Sequence, residues 1–402
     1  MNSERYKLTR AERQALICGF ASVAESVAVA LARCDERLLR AEPALGEGVR
    51  QRGHAFEAQA LIALAGRLCP LEDLVLRDAG MDVRSPTHEI TRAAAILNER
   101  RRLARREPAE VLSPSTLRQR LGLTEPQQPE GSKRRGGAPA ATNRLSAPWE
   151  LGYLGGDDDE VPTDTEDVDI DDEPEHAADP AFAEIDALLA RTRKKLDSWN
   201  DLSSDQGRKS LTLRDPGYDA AGRFERWLAI LEEGRGLPAA LAAALALDAW
   251  LWLEPSERAG ELGFAFAATV LRQQGLGSAH LPVIGVGLRR GKFRWSPHLA
   301  LSARVAGLLG AFAETAAFGQ ADLDRLSLAR DVMLRKCEGR RGNSKLAELV
   351  DLFVASPLVT VQLAAARLQV SPQAVEAMLK QLGASLPREL TGRKRYRAWG
   401  VL

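Results

Sequence analysis

The sequence has few aromatic residues and no net charge. Only 5% of its 402 residues are Phe, Trp or Tyr, whereas 45% are hydrophobic, and Ala and Leu dominate that fraction. This composition is typical of packed helices rather than of sheets. The length is sufficient for several domains with hydrophobic cores. We therefore expect an all-α protein with more than one helical region.

Cysteine is also scarce, and its placement argues against secretion and against a zinc site. The four cysteines are Cys18, Cys34, Cys69 and Cys337. They share no paired spacing, so we expect small buried side chains in a reducing compartment. Residues 15–32 are apolar but are interrupted by Glu25, which favours a buried helix over a signal peptide. Because no uninterrupted apolar run reaches the roughly 18 residues that span a bilayer, a cytoplasmic protein without a membrane partner is expected.

The usual signatures of catalysis are missing from the sequence. No glycine-rich loop ends in Gly-Lys-Ser or Gly-Lys-Thr, and Gly285-x-Gly287 lacks the third glycine of a dinucleotide fingerprint. His88-Glu89 is not followed by the second histidine of a zinc protease, and no Gly-x-Ser-x-Gly elbow occurs. These absences predict a protein that is not an enzyme and that uses no metal or cofactor.

The zero net charge hides a strong segregation of charge along the chain. Residues 157–175 hold twelve acids and no Lys or Arg, so the remainder of the chain carries a net charge of +12. Pro, Gly and Ser also accumulate around this run, and little apolar surface is available there for burial. We predict a disordered acidic linker at residues 124–179. An excess of positive charge elsewhere is compatible with a polyanionic partner.

Apolar residues at helical spacing occupy the regions on both sides of this linker. Residues 1–123 are predicted to form a helical N-terminal region, and residues 180–342 a helical domain of unknown function. Within the second region, residues 237–253 are almost wholly apolar and are expected to form a central buried helix. Asp248 lies inside that helix, so it needs a partner if it is buried and charged.

The most informative stretch is residues 343–402. Two apolar helices are predicted at about 345–353 and 360–368, and Ser371-Pro372 provides the capping serine and first-turn proline that begin a third. Gly383 favours the end of that helix, and Thr391-Gly392 can turn the chain between two short strands. The order of helix, helix, turn, helix and hairpin predicts a winged helix-turn-helix domain.

The side chains of this domain favour DNA as its partner. Residues 388–397 hold five cations and one acid, Glu389, and alternation in an extended strand at 393–401 would place every second side chain on one face. The predicted DNA contacts are Gln373, Lys380 and Gln381 on the third helix, and Arg388, Arg393, Lys394, Arg395 and Arg397 in the hairpin. Tyr396 and Trp399 are expected to supply packing or stacking surface. Glu376 on the third helix favours the alternative, a protein-contact module with the same fold.

A second cationic stretch, residues 99–106, leaves two interpretations open. Its sequence, Glu-Arg-Arg-Arg-Leu-Ala-Arg-Arg, places cations at the C-terminal end of a predicted helix, where the helix dipole favours them. It would then be a solvated helix end. Alternatively, the arginines form a second phosphate-contacting surface.

Several segments resemble an uncharacterised bacterial family that is best represented in rhizobia and other alphaproteobacteria. The matching stretches are residues 35–38 (Asp-Glu-Arg-Leu), 71–76 (Leu-Glu-Asp-Leu-Val-Leu), 84–89, 244–250, 344–346 and 390–400. Members join a helical domain of unknown function to a C-terminal helix-turn-helix domain, which implies DNA binding and a transcription-regulator-like role.

Both ends of the chain also resemble Fic-family proteins, but the Fic nucleotide-transfer motif His-Pro-Phe-x-x-Gly-Asn-Gly-Arg is missing. The alternatives are therefore a protein-interaction scaffold or a degenerate Fic-like protein without nucleotide-transfer activity. A homodimer is possible, because helix-turn-helix proteins often bind two half-sites.

Overall fold

The computed structural model describes residues 6, 10–81, 85–123, 218–256, 259–336, 345–392 and 396–402. The predicted linker at 124–179 lies outside the described residues, as do three predicted DNA contacts, Arg393, Lys394 and Arg395. The chain divides into two compact units, Met1–Arg134 with Ala220–Leu402, and Arg135–Asp219. All contacts below lie within the first unit.

The N-terminal region is helical, as predicted. Its helices are α1 (Arg10–Arg40), α2 (Pro43–Leu64), α3 (Leu71–Asp78), α4 (His88–Ala104), α5 (Pro108–Val111) and α6 (Pro114–Arg120). Side-chain caps begin two of them, because the hydroxyls of Thr87 and Ser113 accept the amide hydrogens of Ile90 and Thr116.

The prediction that all cysteines are buried is wrong for Cys18, which is exposed on α1, whereas Cys34 and Cys69 are buried.

The central region is also helical, and it packs with the N-terminal helices around a shared core. Its helices are α7 (Ala220–Gly234), α8 (Ala239–Leu253), α9 (Leu262–Gln273), α10 (Ile284–Arg290) and α11 (Leu301–Leu334). As predicted, α8 is almost entirely buried. Helix α11 contacts α1, α2, α8 and α10, so it forms the axis of the core.

Helix α11 continues through Gly319 without a break. The sequence pattern predicts two helices here, at about residues 297–318 and 322–336, but the structure has one continuous helix of 34 residues. Gly319 is a packing site: a Cβ added there would lie 2.6 Å from the sulfur of Cys34 on α1. The glycine therefore allows α1 and α11 to approach closely, and their packing offsets its low helix propensity.

Two described helices are long and apolar enough to cross a membrane by length and composition, although the sequence analysis expected no such run. They are Ala11–Arg40, within α1, and Leu301–Leu334, which is α11. A core helix of a soluble protein passes the same test. The contacts of α11 with the helices that surround it are those of a core helix.

The C-terminal region has the predicted order of elements. They are α12 (Leu346–Ala355), β1 (Val359–Thr360), α13 (Val361–Leu368), α14 (Pro372–Leu382), a 3₁₀ turn (Gly383–Ser385), β2 (Arg388–Glu389) and β3 (Ala398–Gly400). The three strands form an antiparallel sheet in the order β1-β3-β2. Strand β1 was not predicted, because two residues are too few to show a strand periodicity. The all-α fold class with a C-terminal helix-turn-helix is confirmed.

Candidate nucleic-acid interface

Local capping signals position α14, the third helix of the C-terminal region. The hydroxyl of Ser371 accepts the amide hydrogen of Ala374 at 3.2 Å, and Pro372 occupies the first turn. Gly383, with a φ of 53°, ends the helix. Both ends lie where the sequence predicted them.

The turn between α13 and α14 is tight because Gln369 adopts a left-handed conformation, with φ 56° and ψ 48°. Its amide donates to the carbonyl of Ala365, as does the amide of Val370. Non-glycine residues adopt this conformation infrequently, and here it reverses the chain within three residues. The turn thereby packs α13 against α14.

Helix α14 has one buried and one exposed face. Val375, Met378, Leu379 and Leu382 are buried in the core. The α14 face is defined as five exposed residues of this helix, Gln373, Glu376, Ala377, Lys380 and Gln381. The three predicted contacts on this helix are therefore together on one exposed surface. Its two amides, one ammonium group and one carboxylate can all form hydrogen bonds. The positive and the negative charge cancel, so the face has no net charge.

The hairpin, defined as residues 388–400, follows this helix and differs from its predicted form. Strand β3 covers Ala398–Gly400 rather than 393–401, because Tyr396 has a φ of 55° and interrupts the extended backbone. Arg393 and Arg395 lie outside the described residues, so their predicted alignment with Arg397 on one face of a strand stays a prediction. Trp399 is buried between β1 and β2, so it is not a stacking surface, whereas 68% of Tyr396 is exposed.

Acidic neighbours neutralise both hairpin arginines that the structure describes. The guanidinium of Arg397 donates from Nε and Nη2 to one oxygen of Glu389, and it lies 5.0 Å from the centre of the Trp399 ring. The hydrogen bonds from Arg397 lower the pKa of Glu389, so this carboxyl is charged at neutral pH. Arg388 forms an ion pair of 2.7 Å with Glu72 on α3. A phosphate must compete with these two carboxylates.

Arg52 on α2 fixes the C-terminal region against the helical region, and sequence reasoning missed it. All five of its N–H groups are within hydrogen-bond distance of backbone carbonyls. The acceptors are those of Gly48, Phe353, Val354, Ser356 and Val401. Three of these carbonyls end α12, where no intrahelical donor is available. Burial lowers the pKa of Arg52 to about 9, so the guanidinium remains charged at neutral pH.

Gly48 allows this close approach. A Cβ at Gly48 would lie 2.2 Å from the carbonyl oxygen of Val354, so any other residue would push α12 away from α2. Nearby, Arg330 on α11 pairs with both Asp351 and Glu42. Together these contacts hold α12 rigidly, and they leave α14 on the outer surface.

The structure favours the helix-end interpretation of the cationic stretch at 99–106. Arg101 pairs with Asp78, Arg102 with Glu99 and Arg106 with Glu110. Arg100 is buried, and its Nη2 donates to the carbonyls of Leu281 and Pro282. The arginines of α4 are thus engaged mainly in intramolecular contacts.

Comparisons with known proteins agree with the order of regions. Residues 346–402 match a family described as an HTH DNA binding domain, and residues 212–338 match one described as a protein of unknown function (DUF1612). Neither description names an enzymatic activity. The uncharacterised protein y4cF of Sinorhizobium fredii (strain NBRC 101917 / NGR234) is 35% identical over 381 residues, which cover 93% of this chain and 94% of that protein.

Proposed function

The chain belongs to the same family as the rhizobial protein y4cF, as the sequence predicted, and from this premise we propose that it binds DNA through the α14 face and the hairpin. One observation carries the proposal: within a domain of the DNA-binding helix-turn-helix family, the polar side of α14 is exposed, and a hairpin whose sequence is rich in arginine follows it in the chain. The hairpin then acts as the wing of a winged helix-turn-helix. A cytoplasmic, transcription-regulator-like role follows from this activity.

The two parts of the interface have different roles in this proposal. Gln373, Lys380 and Gln381 face the major groove, where amides and an ammonium group can form hydrogen bonds with base edges. The hairpin cations Arg388, Arg393, Lys394, Arg395 and Arg397 contact phosphates or the minor groove. Because Glu376 repels phosphate and the α14 face has no arginine, affinity depends mainly on the hairpin, and sequence preference is weak.

Binding is tested by its dependence on salt. With roughly 3–4 phosphate contacts, log K should fall against log salt with a slope of about −3 to −4. We expect Arg393→Ala combined with Arg395→Ala to weaken binding to all duplex sequences and to reduce that slope by roughly two. Fluorescence anisotropy with a labelled random duplex at several salt concentrations measures both quantities.

The matched control combines Arg40→Ala with Arg235→Ala. Both arginines are exposed and lie outside the C-terminal region, Arg40 at the end of α1 and Arg235 just after α7. This variant loses the same charge, so its slope should stay that of the unmodified protein. An unchanged slope in the hairpin variant, or an equal change in the control, rejects the hairpin as the phosphate contact.

A second prediction concerns the acid within the hairpin. Glu389→Gln removes the carboxylate that holds Arg397, so Arg397 becomes available to a phosphate. We expect tighter binding at low salt and a slope steeper by up to about 0.9. Glu348→Gln is the control, because it removes the same charge from α12 and releases Lys345 instead. Equal gains in both variants would indicate a general charge effect rather than a role for Arg397.

The balanced charge of the α14 face supports a second candidate, a protein-interaction scaffold. Exposed Glu376 and Ala377 suit a protein surface as well as a DNA groove. A pull-down with and without nuclease separates the two functions, because a protein partner is retained after nuclease treatment whereas a partner held through DNA is lost.

Size-exclusion chromatography with light scattering tests the expected homodimer.

A further inference from the structure

A small cavity of about 80 Å³ lies within the helical region. It is enclosed by α2, by the C-terminal ends of α4 and α9, and by the loop at residues 278–281. None of the residues that line it belongs to the C-terminal domain. Since one water takes about 30 Å³ in the liquid, this space is large enough for a polyatomic ion.

Buried nitrogen atoms without hydrogen-bond partners line this cavity. Nε and Nη1 of Arg272 and Nδ1 of His54 have none among the described residues. His54 is only 8% exposed. Buried donors without partners are rare in folded proteins, because a polar group removed from water is costly unless it is paired. The arrangement therefore indicates a missing acceptor.

The acids around the cavity form no direct ion pair with Arg272 among the described residues, although Glu107 and Asp35 act on its charge from a longer distance. Arg50 is neutralised by Glu47 at 3.0 Å, and Nδ1 of His280 lies 3.5 Å from Asp35. Asp35 is already engaged, because it accepts hydrogen bonds from Ser278 and Ala279. Burial raises the pKa of Asp35, but the nearby His280 and the hydrogen bonds from Ser278 and Ala279 outweigh this and hold the pKa at about 2. Burial lowers the pKa of Arg272, and the charges of Glu107 and Asp35 offset this only in part, while its Nε and Nη1 atoms still lack hydrogen-bond partners.

The surrounding field is also positive. Burial, followed by the charges of Arg100 and Arg101, holds the pKa of His54 well below its ordinary value. His54 is therefore neutral at pH 7, and a neutral imidazole donates through one nitrogen. A water molecule could accept hydrogen bonds from Arg272, but it would bring no negative charge to a cavity lined by two arginines and two histidines. An anion supplies both the acceptor oxygens and the charge.

We propose that this cavity binds a tetrahedral oxyanion, a phosphate or sulfate group, between the guanidinium of Arg272 and the imidazole of His54. The planar fork of an arginine presents two parallel N–H groups to two oxygens of such an anion. The small volume favours the free inorganic ion over a phosphate ester. The site is separate from the DNA interface and does not depend on it.

The test compares the thermal stability of the full chain in 10 mM sodium phosphate with that in sodium chloride of equal ionic strength. We expect phosphate to raise Tm by about 3 °C or more, because an anion that binds the folded state stabilises it. Arg272→Gln should abolish this increase. Arg92→Gln, which removes a surface arginine paired with Glu261, should retain it.

Two further arms complete the test. Phenyl phosphate should give no increase if the ligand is the free ion, and an equal increase would assign the site to a phosphate ester. If Arg272→Gln does not fold, crystals of the unmodified protein grown with selenate should show an anomalous peak beside Arg272. Equal Tm in phosphate and chloride, an equal response in Arg272→Gln, or no anomalous peak would each overturn the proposal.

Discussion

Arg52→Met is expected to lower the free energy of unfolding by about 3–5 kcal/mol, because it leaves buried carbonyl oxygens without donors. The carbonyls of Phe353, Val354 and Ser356 receive their hydrogen bonds from Arg52 at the end of α12. Each unsatisfied buried carbonyl costs roughly 1–3 kcal/mol, and entry of water into the gap offsets part of that cost. Urea denaturation of the full chain measures the change.

The Arg52→Lys variant separates the effect of charge from that of geometry. Lysine keeps the positive charge but has three donors on a single nitrogen, so it cannot reach five carbonyls. Its stability should fall between those of the unmodified protein and Arg52→Met. The control is Arg40→Met, which removes an exposed arginine from α1 and should change stability by less than about 1 kcal/mol.

This substitution also has a predicted effect on dynamics. Since Arg52 joins α2 to α12 and to Val401, its loss should increase hydrogen exchange in 346–382 more than in α8. Equal exchange in the variant and the unmodified protein would show that other contacts, such as those of Arg330, are sufficient to hold the C-terminal region.

Local signals allowed the sequence to predict much of the C-terminal region. The serine, proline and glycine that bound α14 act within a few residues of their own position, so their effect is independent of the remaining fold. The apolar stripe of α14 is local in the same sense, and it fixed which side is exposed. Gln373, Lys380 and Gln381 were therefore placed correctly on the surface.

Charge neutralisation in the same region could not be predicted, because it depends on contacts across the fold. Glu72 lies far from Arg388 in the sequence, and only the packing of α3 beside the hairpin brings them together. The left-handed backbone at Tyr396 could not be predicted either, since tyrosine rarely adopts this conformation. Counting the cations in the hairpin sequence thus overestimates the positive charge available to DNA, because carboxylates pair with some of them.

Asp248→Leu is expected to destabilise the chain by about 3–5 kcal/mol, because it leaves the buried charge of Arg304 without a partner. Asp248 is fully buried, and Nε and Nη2 of Arg304 donate to its two oxygens at 2.8 and 3.0 Å. It also accepts hydrogen bonds from the hydroxyl of Tyr6 and the indole of Trp295, each at 2.7 Å. The partner that the sequence required for a buried Asp248 is therefore Arg304.

The double variant, Asp248→Leu with Arg304→Met, should be more stable than Asp248→Leu alone, because it removes the uncompensated charge along with its partner. Tyr6 and Trp295 would still lack an acceptor, so stability should not return completely. The surface pair of Arg118 and Glu225 is the control, because Nε and Nη2 of Arg118 likewise donate to the two oxygens of one carboxylate. Removing this pair should lower the free energy of unfolding by less than about 1 kcal/mol. Additive effects of the two single changes at Asp248 and Arg304 would mean that these two side chains do not stabilise each other.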